Sequence, residues 1–89
     1  MTFGSLVREC RTERGLTLME VAGDVGVSVP YLSRIERDRE KPPPDHLIRR
    51  IARTIGIPED EAFAAARRLP PDLQDRAREV VAVYRRFSR

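Results

Sequence analysis

The stretch that decides the fold runs from Thr17 to Glu36 and reads T-L-M-E-V-A-G-D-V-G-V-S-V-P-Y-L-S-R-I-E. Two short helices joined by about four residues can cross steeply when a small residue lies at their contact and a turn residue accepts a left-handed conformation. Ala22 and Gly26 meet these two requirements. The same stretch supplies apolar positions for a shared core, namely Val21, Val25, Val27, Leu32 and Ile35.

The starts of both helices are marked in the same stretch. Thr17 and Glu20 have the T-x-x-E spacing of a capping box, in which each side chain satisfies a backbone donor. Ser28 is a favourable N-cap for a second helix over residues 29–36, and Pro30 falls in the first turn, where no intrahelical hydrogen bond is lost. The stretch therefore predicts a helix-turn-helix motif over residues 17–36.

The flanking sequence predicts three more helices in the same unit. Apolar residues at helical spacing indicate a first helix over residues 2–14, stopped by Gly15. A fourth helix is expected to be capped by Asp45 and stopped by Gly56, and Pro58 with the acids that follow it opens a fifth. No strand-like alternation of useful length occurs, so the predicted class is all-α.

A separate C-terminal helix is predicted after Pro70 and Pro71 break the chain. We assign residues 1–68 to the helix-turn-helix domain and residues 69–89 to a dimerisation helix, because helix-turn-helix motifs commonly act in two-fold dimers. An intramolecular brace and a docking site for another protein remain as alternatives. The predicted interface is the apolar stripe Leu73, Ala77, Val80, Val81, Tyr84 and Phe87.

Composition limits the classes of function. The 89 residues amount to one domain, and a content of 40% hydrophobic but only 6% aromatic residues suits close-packed helices. The net charge is only +3, so any nucleic-acid contact depends on local placement. Cys10 is expected to be a small core residue and His46 an exposed first-turn residue. With one cysteine, no apolar run of membrane-spanning length and no signal-peptide pattern, we expect a cytoplasmic protein.

The motif resembles the Cro/repressor-type (XRE) helix-turn-helix family, and the resemblance runs from about Phe3 to Ala66. It implies a five-helix, lambda-repressor-like DNA-binding domain whose third helix enters the major groove. It also implies an ion pair between an arginine on the first helix and a glutamate at the end of the third. Arg11 and Glu36 stand at those positions. We interpret them as a structural pair.

The resemblance and the helical spacing together sort the exposed positions by expected role. Arg34 can offer a two-pronged donor to guanine, although a surface ion pair with a neighbouring acid is an alternative. The predicted base-reading residues are Ser28, Val29, Pro30, Ser33 and Arg34. The predicted phosphate contacts, which fix register without reading sequence, are Thr17, Leu18, Tyr31, Arg37, Arg39 and Lys41.

The predicted function is a sequence-specific transcriptional regulator, a repressor that binds a palindromic operator in double-stranded DNA as a homodimer. The competing hypothesis is an antitoxin or interaction module whose C-terminal helix binds a partner such as a toxin or a metallopeptidase, with autoregulatory DNA binding. The third hypothesis is that residues 17–36 form a helical hairpin used only for protein contacts. The sequence contains no phosphate-binding loop, metal-ligand cluster or nucleophile–base pair, so we expect no catalysis, metal or cofactor.

Overall fold

The computed structural model describes residues 1–68, which form an all-α domain. Its helices are α1 (Phe3–Glu13), α2 (Leu18–Val25), α3 (Val29–Glu36), α4 (Asp45–Ile55) and α5 (Glu59–Ala65). The prediction of five helices in this order is confirmed. The predicted C-terminal helix and its interface residues lie outside the described residues. Within residues 1–68 no helix is long and apolar enough to cross a membrane.

The helix-turn-helix motif begins where the sequence predicts. Thr17 caps α2, its Oγ1 accepting a hydrogen bond from the Glu20 backbone N–H at 3.0 Å. Ser28 caps α3 in the same way, with the Tyr31 N–H as donor at 3.2 Å. Only half of the predicted capping box forms, because the Glu20 carboxylate accepts a hydrogen bond from the Thr17 hydroxyl at 3.1 Å rather than from its backbone.

The turn between α2 and α3 depends on the two small residues at its ends. Ala22 is only 2% exposed, and its carbonyl accepts from the N–H groups of both Gly26 and Val27, at 2.9 and 3.0 Å. Gly26 has a φ of +84°, a left-handed conformation that costs glycine little because it has no Cβ. These hydrogen bonds and the left-handed Gly26 end α2 at the turn that leads into α3.

Two helix starts differ from the sequence prediction. Asp45 is not the N-cap of α4 but its first residue; Pro44 holds the cap position without a side-chain hydrogen bond. The reason is that Pro44 is already extended, with φ −56° and ψ 158°, so the helix begins directly after it. At α1, Thr2 is the cap rather than the first helical residue, and it forms a complete capping box with the Ser5 hydroxyl.

The core lies where the five helices meet: α1 packs against α3, α4 and α5, and α2 packs against α3 and α4. Each large apolar side chain removed from water there contributes roughly 1.5–3 kcal/mol. Cys10, which was expected in the core, is only partly buried against it, and His46 is exposed near the start of α4 as expected. The fully buried large side chains are Phe63, Leu32, Ile35, Ile48, Ile51, Ile55, Val7, Val21, Val25 and Pro43.

Gly4 fixes how closely α1 approaches the end of α3. A Cβ at this position would overlap the Ile35 carbonyl oxygen and lie 3.0 Å from the Glu36 carbonyl oxygen. Both are backbone atoms at the last turn of α3, which cannot move aside as a flexible side chain would. The lack of a side chain at Gly4 therefore sets the distance between α1 and the last turn of α3.

Candidate nucleic-acid interface

The third helix has one packed face and one open face. Leu32, Ile35 and Glu36 are buried against the domain. On the other side Pro30 is exposed, and Val29 is an exposed large hydrophobic residue at 37%. The predicted base-reading residues Ser28 and Arg34 are also exposed, and Ser33 is half-buried. All five are thus accessible at least in part, and their contacts with DNA remain a prediction.

A two-pronged ion pair holds α3 against α1. Arg11 Nε lies 2.8 Å from Glu36 Oε2, and Arg11 Nη2 lies 3.0 Å from Glu36 Oε1. Arg11 Nη1 also donates to the Leu16 carbonyl at 2.8 Å, which ties the loop before α2 into the same contact. The hydrogen bonds that Arg11 donates to the Glu36 carboxylate raise the pKa of Arg11 above its already high ordinary value, so the arginine stays charged. The predicted structural pair is confirmed.

Arg34 makes the contact that the sequence left as an alternative to base reading. Its Nε donates to Glu40 Oε1 at 3.0 Å, and its guanidinium carbon lies 6.0 Å from the centre of the Tyr31 ring. The side chains of Arg34 and Glu40 are 48% and 38% exposed, so water screens the pair and it contributes little to stability. Within residues 1–68 its terminal Nη atoms carry no hydrogen bond, so they stay available to a ligand.

The predicted phosphate contacts lie at the start of α2, on α3 and in the loop that follows α3. Thr17 is exposed at the start of α2, while Leu18 and Tyr31 are half-buried. The basic residues among them, Arg37, Arg39 and Lys41, are exposed, and the described part of the chain offers none of them an ion-pair partner. The arrangement leaves three cations free to meet an anionic surface.

Arg8 lies near Arg37, and no role for it was predicted from the sequence. A small cavity of about 80 Å³ lies where α1, the start of α2 and α3 meet. Its lining residues are Arg8, Arg11, Leu18, Ser33, Glu36 and Arg37. Arg8 is exposed and has no ion pair within residues 1–68. Its position one turn before Arg11 on α1 is the signal that could have found it, since residues three apart share a helix face.

Other arginines serve the fold rather than the surface. Arg14 donates to the Gly56 carbonyl at 3.2 Å, and Arg50 donates to the Val25 carbonyl at 3.1 Å. Arg68 donates to the carbonyls of Pro42, at 3.0 Å, and Pro43. Carbonyls at helix ends and in proline segments have no intrahelical donor, so these guanidinium groups satisfy them. The arginines therefore form two groups, those that bind backbone carbonyls of the domain and those that stay exposed without such a bond. The small net charge does not distinguish the two groups.

The fold and this face define a class: a compact five-helix domain that presents the second helix of a helix-turn-helix motif to solvent. A helix-turn-helix domain family matches residues 2–65, and the chain belongs to that family. The resemblance to Cro/repressor-type proteins noted from the sequence is confirmed.

Curated relatives carry the same class of name. The chain is 49% identical over 51 residues to the HTH-type transcriptional regulator DdrOP3 of Deinococcus deserti, covering 57% of this chain and 39% of that protein. It is 28% identical over 85 residues to an uncharacterized HTH-type transcriptional regulator, RghRB, of Bacillus subtilis, covering 92% of this chain and 61% of the relative. A similar regulator of Mycobacterium tuberculosis is 30% identical over 78 residues, 88% of this chain and 55% of its own length. The chain thus spans less than two thirds of each.

Proposed function

We propose that this protein is a DNA-binding transcriptional regulator that inserts α3 into the major groove. The observation that carries the proposal is the open face of α3, on which Val29, Pro30 and Arg34 reach solvent while the opposite face is packed. A major groove about 12 Å wide admits one helix, and the N-terminal residues of that helix reach the base edges. The names of the relatives support the same role.

Contacts with the DNA divide into two kinds. Arg34 donates to O6 and N7 of a guanine, and Val29 packs against a thymine methyl group. Ser28, Pro30 and Ser33 complete the base-reading set. The phosphates are contacted by the free cations and by the backbone N–H groups at the start of α2, which attract anions. This phosphate set is Thr17, Leu18, Tyr31, Arg37, Arg39 and Lys41, to which we add Arg8.

We further propose that the protein is a cytoplasmic repressor that binds a palindromic operator as a homodimer. A single short helix reads few bases, and a two-fold dimer doubles the site. The predicted interface is the apolar stripe from Leu73 to Phe87. Arg68, the last residue that the structure describes, donates hydrogen bonds to the Pro42 and Pro43 carbonyls and to the Asp45 carboxylate.

Selection of bound duplexes from a random pool tests the function. The purified full chain is expected to enrich one sequence with two inverted half-sites, their centres about one helical turn apart. The inverted repeat reports sequence preference and two-fold symmetry together. A pool that stays random after repeated rounds would contradict the proposal, and enrichment of a single half-site without its repeat would remove the homodimer from it.

The dimer interface has its own test in Val80→Asp. A charge placed in an apolar interface loses its hydration, so the variant is expected to sediment as a monomer in analytical ultracentrifugation. Ala82→Asp is the matched control, because residue 82 falls outside the predicted stripe, and it is expected to leave the dimer intact. A dimer that survives Val80→Asp would place the interface elsewhere.

A further inference from the structure

We propose that Glu40 is a positioning residue for base reading, which holds Arg34 so that its two terminal nitrogens face a guanine. The inference rests on the proposed function and deepens it, since it concerns how the same face selects a base. It starts from one contact, the hydrogen bond of 3.0 Å from Arg34 Nε to Glu40 Oε1. Glu40 lies outside the helix, in the loop that joins α3 to α4.

The backbone after α3 brings Glu40 back to the helix. Asp38 has a φ of +58°, and the N–H groups of Asp38 and Arg39 donate to the carbonyls of Ile35 and Arg34, at 3.1 and 2.9 Å. The Asp38 side chain is held in turn by the Thr2 hydroxyl, at 2.8 Å from its Oδ2. This turn is therefore fixed from two sides, and it returns the chain to the flank of Arg34.

Arg34 is in contact on a second side. The Tyr31 ring lies one helical turn before it, 6.0 Å from the guanidinium carbon, a distance at the edge of cation–π attraction. The loop carboxylate and the helix aromatic together restrict the arginine while it is still half in water. Ordering a long side chain before binding lowers the entropy lost when it binds.

Because Arg34 donates to Glu40 through Nε, the donors at the end of its guanidinium group remain for a base. An arginine has five N–H donors in a fixed fork, and Glu40 takes the one on Nε. The donors on Nη1 and Nη2 are left, and an end-on pair of these matches the O6 and N7 acceptors of guanine. Adenine presents a donor where guanine presents O6, so the same orientation disfavours it. Glu40 thus favours guanine without touching the base.

Glu40 also lowers the affinity for DNA of any sequence. It places a negative charge among Arg37, Arg39 and Lys41, the residues proposed to meet phosphates. A carboxylate there repels the DNA backbone whatever its sequence. Removing its charge should therefore strengthen binding to every duplex while weakening the preference for guanine. A residue that only lies in the solvated loop would produce the first effect without the second.

The test is Glu40→Gln in the full chain, measured by fluorescence anisotropy. Three duplexes are compared: the selected operator, the same operator with the Arg34-dependent G·C pair changed to A·T, and a random sequence. We expect affinity for the random duplex to rise about twofold, and the operator's guanine-over-adenine preference to fall about three- to tenfold. Glu61→Gln is the matched control, because it removes the same charge from an exposed position on α5, and it should change neither quantity.

The outcomes separate this inference from the function on which it rests. If Arg34→Ala abolishes the guanine preference but Glu40→Gln leaves it at the wild-type value, the role of Glu40 is refuted and the proposed function stands. If the wild-type chain enriches no sequence from the random pool, both fall. A thermal melt of Glu40→Gln by circular dichroism should match the wild type, because the exposed pair adds little stability.

Discussion

Replacing Arg11 by Met is expected to lower the free energy of unfolding by about 3–5 kcal/mol, the range for removing one partner of a buried ion pair. The Glu36 side chain is only 4% exposed, so it would keep a buried charge without either of its two hydrogen bonds to Arg11. The Leu16 carbonyl would lose its guanidinium donor as well. Since domains are stable by only about 5–15 kcal/mol in total, the variant should be close to unfolding.

Two further variants separate charge burial from the general cost of mutation. The double variant Arg11→Met with Glu36→Leu should recover much of the loss, because apolar side chains can replace a buried pair at little cost. Arg53→Met removes an exposed pair with Glu59, whose side chains are 71% and 38% exposed, and should cost less than about 1 kcal/mol. Urea unfolding followed by circular dichroism measures all three. A loss in Arg11→Met no larger than in Arg53→Met would contradict the assignment.

Arg34→Ala is expected to abolish the part of the operator preference that depends on one guanine. The fold should be kept. One two-pronged contact with a base is worth roughly 1–3 kcal/mol of discrimination, a factor of about 5 to 150. The fold should survive because the side chain is half-exposed and its ion pair is screened.

The measurement is the ratio of dissociation constants for operator and random duplexes at one salt concentration. Arg53→Ala is the control, since it removes the same charge from an exposed position on α4 outside the proposed DNA contacts, and it should leave the ratio unchanged. A ratio in Arg34→Ala equal to that of the wild type would remove Arg34 from the base-reading set.

Features governed by local pattern could be predicted from the sequence. The bounds of α3 follow from Ser28 and Pro30, whose effects on a helix start do not depend on distant residues. The Arg11–Glu36 pair also followed, because it came with a family resemblance that fixes both positions. The prediction that Asp45 caps α4 was wrong. An aspartate before a helical pattern favours an N-cap, but the extended Pro44 that precedes it occupies the cap position.

Features governed by contacts between distant segments could not be predicted. Gly4 matters because the end of α3 passes over it, and nothing near residue 4 in the sequence reports that approach. The return of Glu40 to Arg34 depends on the left-handed turn at Asp38, which a polar loop rich in charges does not reveal. Which arginines are structural could not be predicted either, because this depends on the positions of distant backbone carbonyls, such as the Gly56 carbonyl to which Arg14 donates.

The central claim is that the open face of α3 enters the DNA groove, and amide chemical-shift mapping by NMR during titration with the selected operator tests it most directly. We expect the largest shifts at residues 28–34, with a second group at Thr17 and Leu18 where α2 begins. Large shifts confined to α5, with the amides of α3 unmoved at saturation, would contradict it.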